Sequence, residues 1–243
     1  MKAIILAAGV ASRLRPLTNN TPKCLLKVGD KSILERTIDN LVKNNIDEIV
    51  VVTGFLKQTI EDFLTKNYPS LKFKFVFNEK YDSTNNIYSL WLAKSEMLGY
   101  EMLLMDSDII FDSRIIGQLI TSEYENNLAL RASKYLSEEE IKCLLNNDGS
   151  IKEIGKSINP MEAVGESIGI EKFSKELVLQ LYTILDRKIL DKKEVNIFYE
   201  AAFQDAMNSG AKIFPVDVKE FKCMEIDTIE DFEIAAQVVE TMM

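Results

Sequence analysis

Short apolar runs alternate with amphipathic segments in the first part of the chain, and this alternation is the strongest constraint on the fold. Residues 3–8 and the core of residues 48–53 are apolar runs typical of buried parallel strands. Between them, residues 32–44 have a largely helical apolar period, and Ser32 can cap that helix. Strands and helices alternating in such short segments predict right-handed βαβ units, and hence a mostly parallel sheet flanked by helices.

The rest of the chain continues this pattern, with a shift toward β structure after residue 128. Further strands are predicted at 72–78, 101–105, 128–132, 168–173 and 213–216, and further helices at 55–66, 113–122, 175–187, 195–208 and 229–239. The Asn-Asp-Gly sequence at 147–149 is a hairpin signal, so we expect a small β elaboration. Because no linker or repeat interrupts the pattern, residues 1–243 are predicted to form one domain.

Composition excludes several classes of function. The chain has no histidine, which removes Ser-His-Asp hydrolysis, His-based zinc sites and imidazole acid-base chemistry. A net charge of −9 argues against a general affinity for nucleic acid or anionic membranes. No apolar run approaches the roughly 18 residues that a membrane span needs. Three cysteines far apart indicate neither a disulfide framework nor a zinc motif, so a cytoplasmic protein is expected.

The loop that follows the first apolar run has the composition of an anion-binding site. Ala8 and Gly9 carry little or no side chain, so backbone amides there can approach an anion closely. Arg13 and Lys23 add positive charge nearby. This arrangement suits a nucleoside triphosphate, although the chain has no P-loop motif. Small residues at this point are equally expected where a helix simply packs on a sheet.

Two aspartates follow the predicted strand at 101–105. Asp106 and Asp108 are two positions apart on an extended segment, so we expect both side chains to point to the same side. Carboxylates at the end of a buried strand are costly unless they are paired or bind metal, and Mg²⁺ prefers oxygen ligands. A Mg²⁺ site is therefore expected here; a helix-capping pair is the alternative.

A polar run at residues 82–86 precedes a predicted helix. Thr84 and Asn85 would lie at its start, near the edge of the sheet where open α/β proteins bind ligands, and are candidate nucleotide contacts. Tyr88 and Trp91 share one face of this helix at helical spacing. Such a face is typical either of core packing or of a site for a cation.

The N-terminal loop resembles that of a known enzyme family. Leu6-Ala7-Ala8-Gly9, Ser12-Arg13-Leu14, Pro16-Leu17-Thr18 and Pro22-Lys23 fall at the spacings found in the nucleotidyltransferases that activate sugar phosphates and related phosphoesters. The resemblance implies a Rossmann-like α/β fold of the nucleotide-diphospho-sugar transferase type. Together with the polar run, it makes the candidate nucleotide-binding residues Leu6, Ala7, Ala8, Gly9, Arg13, Lys23, Thr84, Asn85 and Asp106.

The resemblance also implies a reaction. Asp227, before the last predicted helix, matches the family's second metal-binding aspartate, although a cap for that helix is the alternative. Asp108 and Asp227 would hold Mg²⁺, Lys23 would lie near the α-phosphate and the incoming phosphate, and Arg13 would hold the departing phosphates. The expected reaction is attack of a phosphate or phosphonate oxygen on the α-phosphorus of a nucleoside triphosphate, releasing pyrophosphate.

Within the family, two segments resemble the phosphocholine and 2-aminoethylphosphonate cytidylyltransferases. These are residues 85–90, Asn-Asn-Ile-Tyr-Ser-Leu, and residues 106–108, Asp-Ser-Asp. The resemblance implies CTP as donor and an amine-bearing acceptor, whose cation would suit aromatic faces or carboxylates. Candidates for that contact are Tyr88, Trp91, Glu166, Tyr199 and Glu200. A sugar-1-phosphate nucleotidyltransferase and a non-catalytic regulatory subunit with this fold are the alternatives, and the oligomeric state is open.

Overall fold

The computed structural model describes residues 1–133 and 135–240, which form thirteen strands and eight α-helices. The strands are β1 (Lys2–Ala7), β2 (Lys27–Val28), β3 (Lys31–Ser32), β4 (Glu48–Thr53), β5 (Lys72–Phe77), β6 (Met102–Asp106), β7 (Ile109–Phe111), β8 (Asn127–Ala132), β9 (Lys142–Leu145), β10 (Ile151–Gly155), β11 (Gly165–Phe173), β12 (Phe214–Asp217) and β13 (Cys223–Glu225). The α-helices are α1 (Ile33–Lys43), α2 (Lys57–Asn67), α3 (Asn86–Leu92), α4 (Lys94–Met97), α5 (Arg114–Thr121), α6 (Lys175–Asp186), α7 (Glu200–Asn208) and α8 (Ile229–Glu240). None of the helices in these ranges combines the length and apolarity needed to cross a membrane.

One large mixed sheet forms the centre of the protein. Its strand order is β5-β4-β1-β6-β11-β8-β12, and β9 and β10 attach beside the first half of β11. All the strands of the main path run parallel except β11, which is antiparallel to both its neighbours. Leu6 pairs with Val52 on one side and with Asp106 on the other. The carboxyl ends of β1, β4 and β6 therefore meet at one edge.

Helices cover both faces of this sheet. On one face, α6 and α7 contribute Leu181 and Phe203 to a cluster that includes Ile4. On the other face, α1 contributes Leu41 to a cluster that includes Ile5, and α2 and α5 pack beside it. Neighbouring residues of β1 thus serve opposite faces, as the pleat of a strand requires. The expected α/β fold with a mostly parallel sheet flanked by helices is confirmed.

A third apolar cluster joins the two ends of the chain. We call it the terminal cluster; its buried members are Leu14, Leu26, Val28, Ile33, Ile110, Ile226, Ala235 and Val239. They come from the N-terminal loop, α1, β7 and the segment that includes α8. Two of them, Leu14 and Ile226, are adjacent in sequence to the predicted site residues Arg13 and Asp227. The terminal cluster therefore forms a packed support for segments that are far apart along the chain.

Two departures from the expectations bear on the site. Residues 107 and 108 form a turn, after which β7 leaves the main sheet and pairs with β13, so Asp106 and Asp108 do not share one strand face. The helix expected at 195–208 begins only at Glu200. Residues before it bond elsewhere: Asn85 N–H donates to the carbonyl of Val195, and the Asn86 side chain accepts from Tyr199 N–H. These two bonds hold the segment before Glu200 against the start of α3.

Candidate active site

A cleft of about 950 Å³ opens along the carboxyl edge of the sheet. It collects most of the residues that the sequence singled out. Those that line it are Leu6, Ala7, Ala8, Gly9, Arg13, Lys23, Thr84, Asn85, Asp106, Asp108, Glu166, Glu200 and Asp227. Tyr88, Trp91 and Tyr199 are the predicted site residues that do not line it.

The loop after β1 leaves open space beside its backbone. A Cβ added at Gly9 would meet no atom within 4 Å, so this glycine borders the cleft without being required by packing. Gly54, after β4, has the opposite role: a Cβ there would lie 2.5 Å from the carbonyl oxygen of Ala8. Phe55 N–H donates to that same carbonyl at 3.1 Å. The contacts with Gly54 and Phe55 thus fix the loop on its side facing β4, and its other side, toward the cleft, remains accessible to an anion.

Lys23 is the centre of the charge cluster in the cleft. Its Nζ lies 2.8 Å from Asp108 Oδ2 and 2.7 Å from Asp227 Oδ1, and Arg13 also donates to Asp227. Burial by itself would lower the pKa of Lys23, but the two carboxylates raise it above its ordinary value. Burial likewise opposes ionisation of Asp227, yet Lys23 and Arg13 bring its pKa below the usual value. Both partners are therefore charged at neutral pH.

Three carboxylates in the cleft fit a divalent cation. Asp108, Glu225 and Asp227 each offer one oxygen, and these oxygens lie within 4.8 Å of one another. Within the described residues, Asp108 Oδ1 is buried and has no hydrogen-bond partner. Burial, followed by the charges of Asp108 and Asp227, raises the pKa of Glu225 to about 7. A hard cation would relieve this repulsion, and an all-oxygen donor set suits Mg²⁺.

Glu225 was not among the sequence candidates, although a signal for it exists. It lies two positions before Asp227, at the end of β13. Residues two apart on an extended segment point to the same side, which is the argument the sequence analysis applied to Asp106 and Asp108. The same argument does not apply to Asp106 and Asp108, because residues 107 and 108 form a turn instead of continuing the strand.

Asp106 lies in the wall of the cleft and is held by a hydrogen bond from a buried side chain. The Tyr199 hydroxyl donates to Asp106 Oδ2 at 3.0 Å. Burial, with the neighbouring charges of Asp108 and Glu200, raises the pKa of Asp106 well above its usual value. Tyr199 is fully buried, so its ring is not available to a ligand in the cleft. Its structural role here is to position Asp106, which corrects the expectation of direct substrate contact.

Tyr88 and Trp91 pack away from the cleft. Their rings contact each other at 5.3 Å between centroids, and both pack against the apolar cluster that includes α6. Trp91 Nε1 donates to Asp186 Oδ1 at 2.9 Å, which fixes the indole on the end of α6. Of the two alternatives for this helix face, core packing or a site for a cation, these contacts favour core packing for Tyr88 and Trp91.

The wall of the cleft beside β11 carries charges of both signs. Glu166 Oε1 accepts from Arg131 Nε at 2.8 Å and from Arg131 Nη2 at 2.6 Å. Glu200 is 6% exposed; its Oε2 is buried without a hydrogen-bond partner in the part of the chain that the structure describes. Burial raises the pKa of Glu200 to about 7. Lys156, which was not among the sequence candidates, also lines the cleft, and its positive charge opposes the increase in the pKa of Glu200.

A comparison with known families gives one match that covers more than half of the chain. The family model described as nucleotidyl transferase matches residues 2–138. These residues include the loop after β1, Lys23, the polar run and both aspartates that follow β6. Glu225 and Asp227 lie beyond the matched range.

Similar proteins extend the match over nearly the whole chain. A CTP:phosphoglutamine cytidylyltransferase of Campylobacter jejuni is 32% identical over 255 residues, which cover 96% of this chain and 98% of the relative. A solved structure of the CTP:phosphocholine cytidylyltransferase from Streptococcus pneumoniae has a TM-score of 0.81 and 25% identity, and covers 98% of both chains. A CMP-5'-(3-aminopropyl)phosphonate synthase of Streptomyces rubellomurinus is 25% identical over 93% of this chain and 37% of its own length.

Proposed function

We propose that this chain, which belongs to the nucleotidyltransferase family, transfers CMP from CTP to a small phosphate or phosphonate and releases pyrophosphate. The observation that carries the proposal is the ammonium of Lys23, held between Asp108 and Asp227 beside the open loop at Gly9. A fixed cation and a group of carboxylates beside an open loop support the binding of a triphosphate together with a divalent cation. The names of the relatives share a cytidine nucleotide and a phosphorus-bearing compound, which favours CTP as the donor.

The reaction needs charge neutralisation rather than proton transfer. A phosphate or phosphonate nucleophile is already ionised near neutral pH, so its oxygen can attack the α-phosphorus without a general base. The bond from the α-phosphorus to the bridging oxygen breaks, and pyrophosphate leaves with that oxygen. Lys23 stabilises the negative charge around the α-phosphorus, and Arg13, whose side chain is 61% exposed, reaches the departing phosphates. The complete absence of histidine is compatible with this chemistry.

A divalent cation, Mg²⁺ in our proposal, would supply further neutralisation of the phosphates when bound by Asp108, Glu225 and Asp227. Lys23 now pairs with two of these carboxylates. When the cation binds, the ammonium of Lys23 would therefore share these two carboxylates with it or lose them. The ammonium would then be available to the substrate phosphates. Asp227 thus serves both the cation and the two basic side chains.

The proposed acceptor carries an amine, such as 2-aminoethylphosphonate or phosphocholine. Glu200 is the carboxylate that we assign to its cationic end, because the side chain lines the cleft and one oxygen has no donor among the described residues. We treat residues 1–243 as one nucleotidyltransferase domain that acts on small molecules in the cytoplasm. Three buried free cysteines, Cys24, Cys143 and Cys223, suit such a reducing compartment.

Pyrophosphate release in the presence of Mg²⁺ tests the proposal. The four ribonucleoside triphosphates are each combined with phosphocholine, 2-aminoethylphosphonate, inositol 1-phosphate and several sugar 1-phosphates. We expect release with CTP and a phospho-amine. Release with a sugar 1-phosphate and another nucleotide would replace the proposed function by the sugar-activating reaction, and silence across the panel from a folded sample would overturn it.

A further inference from the structure

Asp227 differs from the other two carboxylates of the cluster, because both of its oxygens are already paired with basic side chains. Oδ1 accepts from Lys23 Nζ at 2.7 Å, and Oδ2 accepts from the guanidinium of Arg13. The backbone N–H of Asp227 donates to Asp231 Oδ2 at 3.0 Å, which fixes the residue ahead of α8. A divalent cation that approaches Asp227 therefore meets a basic group at either oxygen.

Asp108 and Glu225 leave more of their oxygens open. Asp108 Oδ2 accepts from Lys23 Nζ at 2.8 Å, but Oδ1 is buried without a hydrogen-bond partner in the described part of the chain. Over the same residues, Glu225 takes no part in the ion pairs of the cluster. The free protein thus offers a divalent cation part of the cluster and withholds the rest.

The ammonium of Lys23 occupies space that a bound cation would need. Mg²⁺ binds carboxylate oxygens at about 2.0–2.1 Å, and Nζ already lies 2.8 Å and 2.7 Å from oxygens of Asp108 and Asp227. A cation held by the same two oxygens would come into contact with Nζ, and like charges at so short a distance repel strongly. Because the Lys23 side chain is only 12% exposed, solvent screens this repulsion weakly. Lys23 therefore acts as an internal counter-ion of the cluster.

Resting on the proposed function for the triphosphate alone, we propose that Lys23 and Arg13 mask Asp227 in the free protein. A divalent cation then completes its site only when a triphosphate draws these two basic side chains away. The Arg13 side chain is 61% exposed, so it can turn toward the phosphates first. Because coupling between two binding sites is reciprocal, the nucleotide and the cation each raise the affinity of the other.

Mn²⁺ binding in the absence of nucleotide tests the masking directly. Mn²⁺ suits the same oxygen ligands as Mg²⁺, and the unbound ion is counted by electron paramagnetic resonance. Lys23→Met removes the ammonium and keeps a side chain of similar length. We expect the dissociation constant for Mn²⁺ to fall at least about tenfold in this variant, which is within the range of typical couplings between two sites. An unchanged or higher dissociation constant would overturn the inference.

Lys156→Met is the matched control, because it removes one positive charge from the same cleft. Lys156 Nζ lies 5.0 Å from the centroid of the Phe198 ring and pairs with Glu139 at 3.3 Å, outside the cluster. Its charge still opposes the increase in the pKa of Glu225. We expect a much smaller decrease in the dissociation constant for Mn²⁺ than in Lys23→Met. An equal decrease in the two variants would assign the effect to the general field of the cleft and overturn the inference.

Arg13→Met gives a second test that does not depend on a change at Lys23. The Arg13 side chain is largely exposed, so we expect this variant to fold as the wild type does, with Asp227 Oδ2 uncovered. The dissociation constant for Mn²⁺ should fall, and by more than in Lys156→Met. A decrease no larger than in that control would contradict the masking of Asp227.

The effect of CTP on the same constant tests the unmasking. CTP should increase the Mn²⁺ affinity of the wild type by a larger factor than that of Lys23→Met, because the variant is already unmasked. Formation of the Mn²⁺ complex of CTP in solution is measured separately and subtracted. The same factor in both proteins would overturn the inference.

The measurements without CTP separate this inference from the proposed function. If no donor and acceptor react, the proposed function fails, and tighter Mn²⁺ binding by Lys23→Met still supports the masking. Thermal unfolding is a second readout: Mn²⁺ alone should raise the Tm of Lys23→Met more than that of the wild type, because a tighter ligand stabilises the folded state more. An equal or smaller increase would overturn the inference even if turnover with CTP is observed.

Discussion

Lys23 is the residue on which the charge balance of the site depends. It was selected from the sequence, as were Arg13, Asp108 and Asp227, and the structure brings these four side chains together. Asp108 follows an apolar run that predicts a strand, and Arg13 lies in the loop after another such run, whereas the role of Asp227 came from the family resemblance. Lys156 and Phe198 were not selected, because nothing in the local pattern shows that a lysine after β10 lies over a ring before α7.

Replacing Lys23 by alanine should reduce kcat strongly. The change removes the ammonium that neutralises Asp108 and Asp227 and that would stabilise charge at the α-phosphorus. By analogy with other fixed charge-stabilising groups, we expect a loss of about 10²–10³-fold in kcat. Pyrophosphate release measures it, with Lys27→Ala, at an exposed position of β2, as the control. Full activity in a folded Lys23→Ala protein would remove Lys23 from the proposed mechanism.

Ionisation of the buried Glu200 carboxyl should lower the free energy of unfolding at high pH. Its pKa in the folded protein is raised from 4.5 to about 7, so the unfolded chain loses its proton first as pH rises. The penalty is absent below the unfolded pKa, grows between the two values, and is complete above about pH 7. We therefore expect Glu200→Gln to be more stable than wild type by about 2–3 kcal/mol at pH 8, with a smaller gain at pH 5. Urea unfolding at both pH values tests this; an equal difference at both would exclude a buried titrating Glu200.

At the scale of single elements, β11 is the strand of the main sheet whose irregular middle part borders the cleft. Its pairing with β8 is interrupted between Ser167 and Glu171, and Gly169 within this interruption has a φ of 71°. A Cβ at Gly169 would lie 2.7 Å from Asp106 Oδ2. The irregular strand therefore brings backbone against a carboxylate of the site, which a side chain at this position would prevent.

Gly169→Ala should therefore lower both stability and activity. The left-handed backbone and the contact with Asp106 together should cost on the order of 2–4 kcal/mol. Gly149→Ala is a matched control, because Gly149 has a φ of 82° but nothing within 4 Å of an added Cβ. Denaturant unfolding and pyrophosphate release measure the two effects. If both variants lose the same stability and keep their activity, the contact with Asp106 has no functional weight.

Elements with strong local signals were predicted closely, and those fixed by distant pairing were not. The strand expected at 48–53 is β4, Glu48–Thr53, and the hairpin signal at 147–149 joins β9 to β10. The pairing of β7 with β13 has no local signal, because Cys223 and Phe111 are brought together only by the folded chain. The role of Tyr88 and Trp91 was likewise not predictable, because residues at helical spacing look the same in sequence on a core face and on a binding face.

At the scale of the whole molecule, the terminal cluster decides whether the site is complete. Leu14, Leu26, Ile110 and Ile226 each belong to it, and each lies within a few residues of a basic or acidic group of the cleft. Packing in this cluster therefore sets the relative positions of charges that lie on four different segments. Damage to it should affect metal binding beyond its effect on stability.

Ile226→Ala is the direct test, since Ile226 is fully buried between Glu225 and Asp227. We expect a loss of about 2–5 kcal/mol from the cavity, together with a higher Mg²⁺ concentration for half-maximal activity. Ile38→Ala, at a fully buried residue of α1 outside the terminal cluster, should lose similar stability without changing the Mg²⁺ requirement. The measurements are denaturant unfolding and Mg²⁺ titration at a temperature where both variants are folded. Identical Mg²⁺ curves would show that the cluster does not position the carboxylates.

The joining of the chain's two ends also orders events during protein synthesis. β1 and its loop leave the ribosome early, whereas Glu225, Asp227 and α8 are among the last described residues to emerge. A growing chain can therefore build the loop to which we assign nucleotide binding while it lacks two of the three clustered carboxylates. The proposed reaction would therefore begin only after this segment has been translated, and a peptidase that removed α8 would take Ala235 and Val239 from the terminal cluster while leaving the strands of the main sheet in place.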